Sequence, residues 1–167
     1  MVTVVLGQVL EIKPNMKKQK RIKATVGDLV KIQLDSQWHV YARVLKEPLF
    51  AFYDSRTDKE LTFDEIKNLP VLFKIWVMKY AVTSGRWPVV GNYHLEESLK
   101  QVEKFFKQDC LNPQSISIYY EGHEIPATRE ECIGLECAAV WDPEHVEDRL
   151  RDHYAGKPNK WVKALKI

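Results

Sequence analysis

The stretch VLFKIWVMKYAVTSGRWPVVGN, residues 71–92, decides the fold of this chain. Its first eight residues are apolar on nearly both faces, which predicts a central strand that is covered on both sides. Residues 81–85 are then expected to turn the chain. The sequence RWPVVG (86–91) predicts another short strand after the turn. The stretch therefore predicts two strands joined at a corner.

Three residues are predicted to build this structural corner: Gly85, Arg86 and Trp87. Gly85 is free to take the positive φ that a tight turn needs. The indole of Trp87 is expected to fill the core beside the corner. Arg86 leaves two alternatives open, because its guanidinium can bind carbonyl oxygens at the corner or reach a partner. Of these alternatives we favour the role at the corner.

N-terminal to this stretch, VGDLVKIQLDSQWHVYARVLKEPLFAFYD (26–54) predicts three antiparallel strands separated by turn residues. Side chains alternate between the two faces of a strand, so one face of the second strand should be buried and the other partly open. The predicted buried residues are Val40, Ala42 and Val44, and the predicted outward residues are His39, Tyr41 and Arg43. The β-rich residues 2–13 predict one more strand.

C-terminal to the stretch, the sequence predicts two substantial helices. Apolar residues recur at helical spacing in HLEESLKQVEKFFKQ, which predicts a helix over about 94–107. Asp142 followed by Pro143 is a strong helix start and predicts a second helix over about 143–154. The tail KPNKWVKALKI (157–167) is expected to add a last strand.

Shorter helical turns are predicted by two capping boxes, Thr62 with Glu65 and Thr128 with Glu131. Strands dominate and do not alternate regularly with long helices, which argues against a doubly wound parallel sheet. The predicted fold class is therefore α+β. We expect a strongly twisted, mostly antiparallel, barrel-like sheet with two substantial helices, in one domain over residues 1–167.

The composition is that of a soluble globular protein, with 45% apolar and 29% charged residues among 167. Three Cys residues provide no paired disulfide framework, which favours the reducing cytoplasm. The first residues lack the basic start and the cleavage site of a signal peptide. No apolar run approaches the ~18 residues of a membrane span. We therefore expect a cytoplasmic protein without membrane association; the sequence predicts no oligomeric state.

Charge is distributed unevenly along the chain. Residues 1–46 contain nine Lys and Arg against three acidic residues, a net charge of +6. Residues 121–152 contain ten acidic residues against three Arg, a net charge of −7. Such a layout suits a partner with complementary patches, although a solvated surface also explains it.

The sequence contains no motif of nucleophilic catalysis or phosphate binding, so we predict a protein that is not an enzyme. The potential metal ligands that lie close together in sequence are His123, Cys132, Cys137 and His145. The C-x4-C spacing of the two Cys residues matches no familiar zinc module, and they are expected to pack as small apolar side chains. We therefore predict no metal site and no cofactor.

A nucleic-acid-binding small β-barrel is the alternative function. A basic segment is followed by the outward face of the predicted meander, and small barrels bind single strands with basic grooves and aromatic platforms. The candidate contacts are Lys17, Lys18, Lys20, Arg21, Tyr41 and Arg43. The pI of about 8.3 and the acidic C-terminal part make nucleic acid an unlikely partner.

Two longer segments and FAFYD between them resemble the immunity protein 26 family of bacterial polymorphic toxin and contact-dependent inhibition systems. The segments are VGDLVKIQLDSQWHVYARVL (26–45) and LTFDEIKNLPVLFKIWVMKYAVTSGRWPVVGN (61–92), and the part from Tyr80 to Gly91 is the most specific. The resemblance implies a non-enzymatic antitoxin that binds the toxic C-terminal domain of a cognate effector. The C-terminal third is outside the resemblance, so partner choice is expected to lie there.

Four acidic residues of the predicted C-terminal helix are the candidate toxin-binding residues: Glu144, Glu147, Asp148 and Asp152. They recur at three- and four-residue spacing, so they can share one helix face. If the toxin is a nuclease, as the resemblance allows, an acidic ridge could fill its basic cleft in place of phosphates. A solvated helix face is the other explanation of the same pattern.

Overall fold

The computed structural model describes residues 22–167. The predicted strand within residues 2–13 and the basic residues Lys17, Lys18, Lys20 and Arg21 lie outside the described residues. The strands are β1 (Asp28–Gln33), β2 (His39–Val44), β3 (Leu49–Tyr53), β4 (Val71–Val77), β5 (Val89–Asn92), β6 (Phe105–Gln108), β7 (Ile116–Tyr120), β8 (His123–Pro126), β9 (Glu136–Cys137) and β10 (Val140–Trp141). The α-helices are α1 (Phe63–Ile66), α2 (Tyr80–Thr83), α3 (Pro143–Tyr154) and α4 (Lys160–Ala164).

The strands form two sheets rather than a closed barrel, so the barrel-like prediction is wrong. The larger sheet has the order β10-β4-β3-β2-β1-β5, and the smaller one has the order β8-β7-β6-β9. Pairing is antiparallel except between β10 and β4 and between β6 and β9. The strands β5 and β10 lie at opposite edges of the larger sheet, so that sheet stays open. As predicted, β4 lies inside the sheet, between β3 and β10.

The larger sheet is covered on both faces, which corrects the prediction of an outward face on β2. Val40, Ala42 and Val44 are buried as expected, in a core that includes Val146 and Leu150 of α3. On the other face, Tyr41 packs with Ile66 at the end of α1 and with Leu99. His39, Tyr41 and Arg43 are only 3%, 1% and 0% exposed. The chain between β5 and β6 covers this second face, which strand alternation alone cannot predict.

The predicted helix over 94–107 is not formed. Only a short 3₁₀ turn over Glu97–Leu99 is helical, and Phe105 and Phe106 belong to β6. Both Phe side chains are buried, and the Phe105 ring packs against Trp76 of β4 with centroids 4.7 Å apart. The backbone of β6 pairs with β7 and β9. Both strands lie outside the segment whose periodicity predicts the helix. Long-range pairing thus overrides local periodicity here.

The helix α3 confirms the prediction over 143–154, with Asp142 at its N-cap and Pro143 in its first turn. It is the one α-helix in residues 22–167 that exceeds five residues. The tail forms the helix α4 instead of the predicted last strand. Asn159 accepts hydrogen bonds from the backbone N–H groups of Trp161 and Val162, each at 3.0 Å, and this N-cap favours a helix. Among the described residues, no helix has the length and hydrophobicity to cross a membrane.

Both predicted capping boxes are present. The Thr62 hydroxyl accepts a hydrogen bond from the Glu65 N–H at 3.4 Å, and the Glu65 carboxylate accepts one from the Thr62 N–H at 2.7 Å. Thr62→Ala is therefore expected to lower the free energy of unfolding by about 1 kcal/mol. Urea denaturation followed by circular dichroism measures this change. Thr83→Ala is the matched control, because Thr83 is exposed at the end of α2, and a similar loss there would contradict the capping role.

Candidate functional site

The predicted corner lies against the N-terminal half of α3. The turn includes the single-turn helix α2, and Gly85 has a φ of 80°, as predicted. Trp87 is 1% exposed and packs edge-on against Phe50 and Phe52, with ring centroids 5.9 Å away in each case. The indole therefore fills the core beside the corner. This position also directs the polar edge of Trp87 toward α3.

Arg86 binds neither corner carbonyls nor an open surface but the carboxylate of Glu147. Arg86 Nε donates to Glu147 Oε1 at 2.7 Å, and Nη2 donates to Oε2 at 2.8 Å. Trp87 Nε1 donates to the same Oε1 at 2.9 Å. The hydrogen bonds to Glu147 raise the pKa of Arg86. Glu147 is 5% exposed, so this candidate toxin-binding residue is a buried link between the corner and α3.

Glu144 lies one turn before Glu147 and joins the same network from the solvent side. Its carboxylate accepts a hydrogen bond from the Tyr80 hydroxyl at 2.7 Å and pairs with Arg86 Nη1 at 3.0 Å. The hydrogen bond to Glu144 raises the pKa of Tyr80 to about 12, and the same bond lowers the pKa of Glu144. The Glu144 side chain remains 46% exposed. Its charge is partly compensated but accessible.

The last two acidic candidates point toward α4. Asp148 pairs with Arg151 at 3.1 Å and accepts a hydrogen bond from Trp161 Nε1 at 3.4 Å. Asp152 accepts a hydrogen bond from Asn159 Nδ2 at 2.8 Å. The Asp148 side chain is 46% exposed. The four acids of α3 therefore divide among different neighbours, and those with half-exposed carboxylates are Glu144 and Asp148.

Tyr41 and Arg43, the described members of the alternative nucleic-acid set, are buried. Arg43 Nη2 donates to the carbonyl oxygens of Tyr93 and His94 at 2.7 and 3.1 Å. Its guanidinium also lies 4.9 Å from the centre of the Phe63 ring. These contacts fasten the chain after β5 to the sheet. The alternative function therefore depends on the basic residues outside the described range.

The potential metal ligands are dispersed. His123 is on β8 and Cys137 is on β9, at opposite edges of the smaller sheet. Cys132 is buried, and His145 stacks on Trp161 with ring centroids 3.6 Å apart. Burial raises the pKa of Cys132 and of Cys137. Within residues 22–167, no group of three or more His, Cys, Asp or Glu side chains could hold a metal ion.

One conspicuous surface cluster was not predicted. The guanidinium of Arg56 lies over the rings of both Trp38 and Tyr154. These residues are far apart in sequence and come from the β1–β2 turn, the segment after β3 and the end of α3. No local spacing relates them, so only the folded chain reveals the cluster.

The family model for immunity protein 26 matches residues 25–117. This range includes β1 to β6 and the corner with Arg86, whereas α3 and its four acids follow the match. Comparisons with curated proteins and with solved structures found no match. Since the family model covers more than half of the 167 residues, this chain belongs to the immunity protein 26 family.

Proposed function

We propose that this protein neutralises a bacterial toxin by binding the toxic C-terminal domain of its cognate effector, without catalysis of its own. The match of residues 25–117 to the immunity protein 26 family carries the proposal. Immunity by binding requires a rigid, preformed surface that associates quickly and dissociates slowly. The sheet with both faces covered and the buried link between the corner and α3 supply such a scaffold. We further propose that binding takes place in the cytoplasm.

Co-expression with the C-terminal domain of the neighbouring effector tests this function. The toxin domain alone should arrest growth, and co-expression of this protein should restore growth. An inactive form of the toxin domain should then copurify with it as a complex of defined stoichiometry. Growth arrest that persists despite normal expression, together with the absence of a complex, would refute the proposal.

We propose that the exposed acids of α3 contribute to the toxin interface. Support comes from the half-exposed carboxylates of Glu144 and Asp148, which leave negative charge accessible on one helix. Asp152 lies one turn further along and is a partly exposed residue. Glu147 is assigned a supporting role, since its buried carboxylate holds Arg86 and Trp87. The accessible acids would steer the toxin domain during association.

Asp148→Lys is expected to weaken toxin binding about three- to tenfold, chiefly through slower association, as for a charge at the edge of an interface. The loss should shrink at high salt, because screening weakens the attraction that the wild type uses. Surface plasmon resonance at several ionic strengths measures both effects. Glu130→Lys is the matched control, since Glu130 is an exposed acid of another element, the 3₁₀ turn Glu130–Cys132. Equal affinity of wild type and Asp148→Lys would exclude this part of α3 from the interface.

A further inference from the structure

Arg56 is an exposed guanidinium that two aromatic rings hold in place. Its guanidinium carbon lies 4.7 Å from the centre of the Trp38 ring and 5.2 Å from the centre of the Tyr154 ring. The ring of His153 meets Tyr154 edge-on, with centroids 5.0 Å apart. Cation–π contacts with two rings restrict the rotamers of the long Arg side chain. The cluster is thus ordered although it faces solvent.

The guanidinium of Arg56 has no ion-pair or hydrogen-bond partner within residues 22–167. None of the ion pairs in this part of the chain includes Arg56, and its side chain donates no hydrogen bond there. By contrast, Arg43, Arg86, Arg149 and Arg151 each bind a carboxylate. A guanidinium presents its N–H donors in a planar fork that matches a carboxylate in two parallel hydrogen bonds. Arg56 therefore presents a planar set of N–H donors that could bind a carboxylate of another molecule.

The surroundings of Arg56 favour a protein carboxylate over a nucleic-acid backbone. Asp35, Asp54 and Asp58 are exposed in the same turns, and Asp54 accepts a hydrogen bond from the Tyr154 hydroxyl at 3.0 Å. A chain of phosphates would bring further negative charges against these acids. One carboxylate on a protein surface of mixed charge meets less of this repulsion than a chain of phosphates does. Stacking on Arg56 also occupies the aromatic faces that bases would need.

We propose that Trp38, Arg56 and Tyr154 form an anchor site that receives an acidic side chain of the toxin domain. The proposal rests on the function proposed above and adds the chemistry of a specific contact. Trp, Tyr and Arg are the residue types that most often dominate the energetics of protein interfaces. Because the aromatic rings already order Arg56, binding would cost little additional side-chain entropy. Arg56 would thus slow dissociation of the complex.

Binding of Arg56 variants to the inactive toxin domain of the neighbouring effector tests the anchor. Arg56→Glu is expected to raise the Kd by about 30-fold or more, mainly through faster dissociation. Arg56→Lys should raise the Kd by a smaller factor, since Lys retains the charge but loses the planar fork. Isothermal titration calorimetry and surface plasmon resonance give the Kd and the dissociation rate. Thermal unfolding of each variant verifies that the fold is intact.

Lys46→Glu is the matched control, because it reverses an exposed charge beyond the opposite end of β2. Wild-type affinity in Lys46→Glu with weakened binding in Arg56→Glu supports the anchor. Wild-type affinity in Arg56→Glu overturns it and leaves the proposed function intact. If the wild type forms no complex at all, the proposed function fails and the anchor fails with it. Salt-dependent binding of a single-stranded oligonucleotide that Arg56→Glu abolishes would assign the cluster to nucleic acid and overturn the proposal.

Discussion

Replacing Glu147 with alanine is expected to lower the free energy of unfolding by about 3 kcal/mol. The carboxylate is 5% exposed and accepts hydrogen bonds from both Arg86 and Trp87. Its removal leaves the buried indole N–H without an acceptor and the Arg86 guanidinium with the half-exposed carboxylate of Glu144 as its remaining partner. Because the Arg86 side chain is 39% exposed, water partly compensates for the lost ion pair, which keeps the estimate at the lower end for a buried pair.

Urea denaturation measures this loss, and Asp148→Ala is the neighbouring control. Asp148 belongs to the same helix, but its pair with Arg151 is exposed, so its removal should cost less than about 1 kcal/mol. Glu147→Gln should be intermediate, since an amide oxygen can still accept the Trp87 N–H. A Glu147→Ala protein as stable as Asp148→Ala would show that the link contributes nothing to stability.

Arg43→Ala is expected to lower the free energy of unfolding by about 3–5 kcal/mol. The side chain is fully buried, and its Nη2 group donates to the carbonyl oxygens of Tyr93 and His94. Alanine would leave a cavity beneath this segment, with both carbonyls deprived of their Arg43 donor. The segment that covers the second face of the sheet should consequently detach before the rest of the protein unfolds.

Hydrogen exchange distinguishes this local effect from a uniform loss of stability. In Arg43→Ala, protection should fall first around residues 93–99 and last in β2 and β3. Arg129→Ala is the control, because Arg129 is exposed and its removal should change stability by less than about 0.5 kcal/mol. Uniformly reduced protection would contradict the assignment of Arg43 as the tether of this segment.

Local patterns were sufficient to predict the central strand, the corner and the start of α3. Each depends on neighbours in sequence: the apolar run of β4, the positive φ of Gly85, and Pro143 after Asp142. The burial of Trp87 in the core likewise agrees with the prediction. In all these cases the signal and the structure that it specifies lie within a few residues of each other.

Each wrong prediction concerns a segment whose structure depends on residues that are far away in sequence. Phe105 and Phe106 fit a helical pattern, yet β7 and β9 provide a ladder that turns the segment into a strand. Strand alternation places Arg43 on a face of β2 that is expected to be open, but the segment after β5 covers this face. Periodicity describes one segment alone and contains no information about what will pack on it. The expected barrel failed for the same reason, since closure depends on which edges meet.

The candidate site was the least predictable part. The spacing of the four acids is compatible with one helix face: Glu144, Glu147, Asp148 and Asp152. It does not show that the carboxylate of Glu147 is buried against Arg86. No sequence pattern distinguishes Arg56, because its aromatic neighbours are brought to it only by folding. A side chain's value for binding depends on which charges remain unpaired after folding.

The pairing of β10 with β4 determines when, during synthesis, the open edge of β4 becomes covered. β4 ends at Val77, whereas β10 begins at Val140 and α3 follows it. At about 5–20 residues per second, the ribosome needs roughly 3–12 seconds to make the intervening chain. Until then β4 has an uncovered edge, and the core that Val146 and Leu150 complete is open to water. A nascent chain therefore completes its core, and with it the surface that we propose for toxin binding, only after α3 has been made.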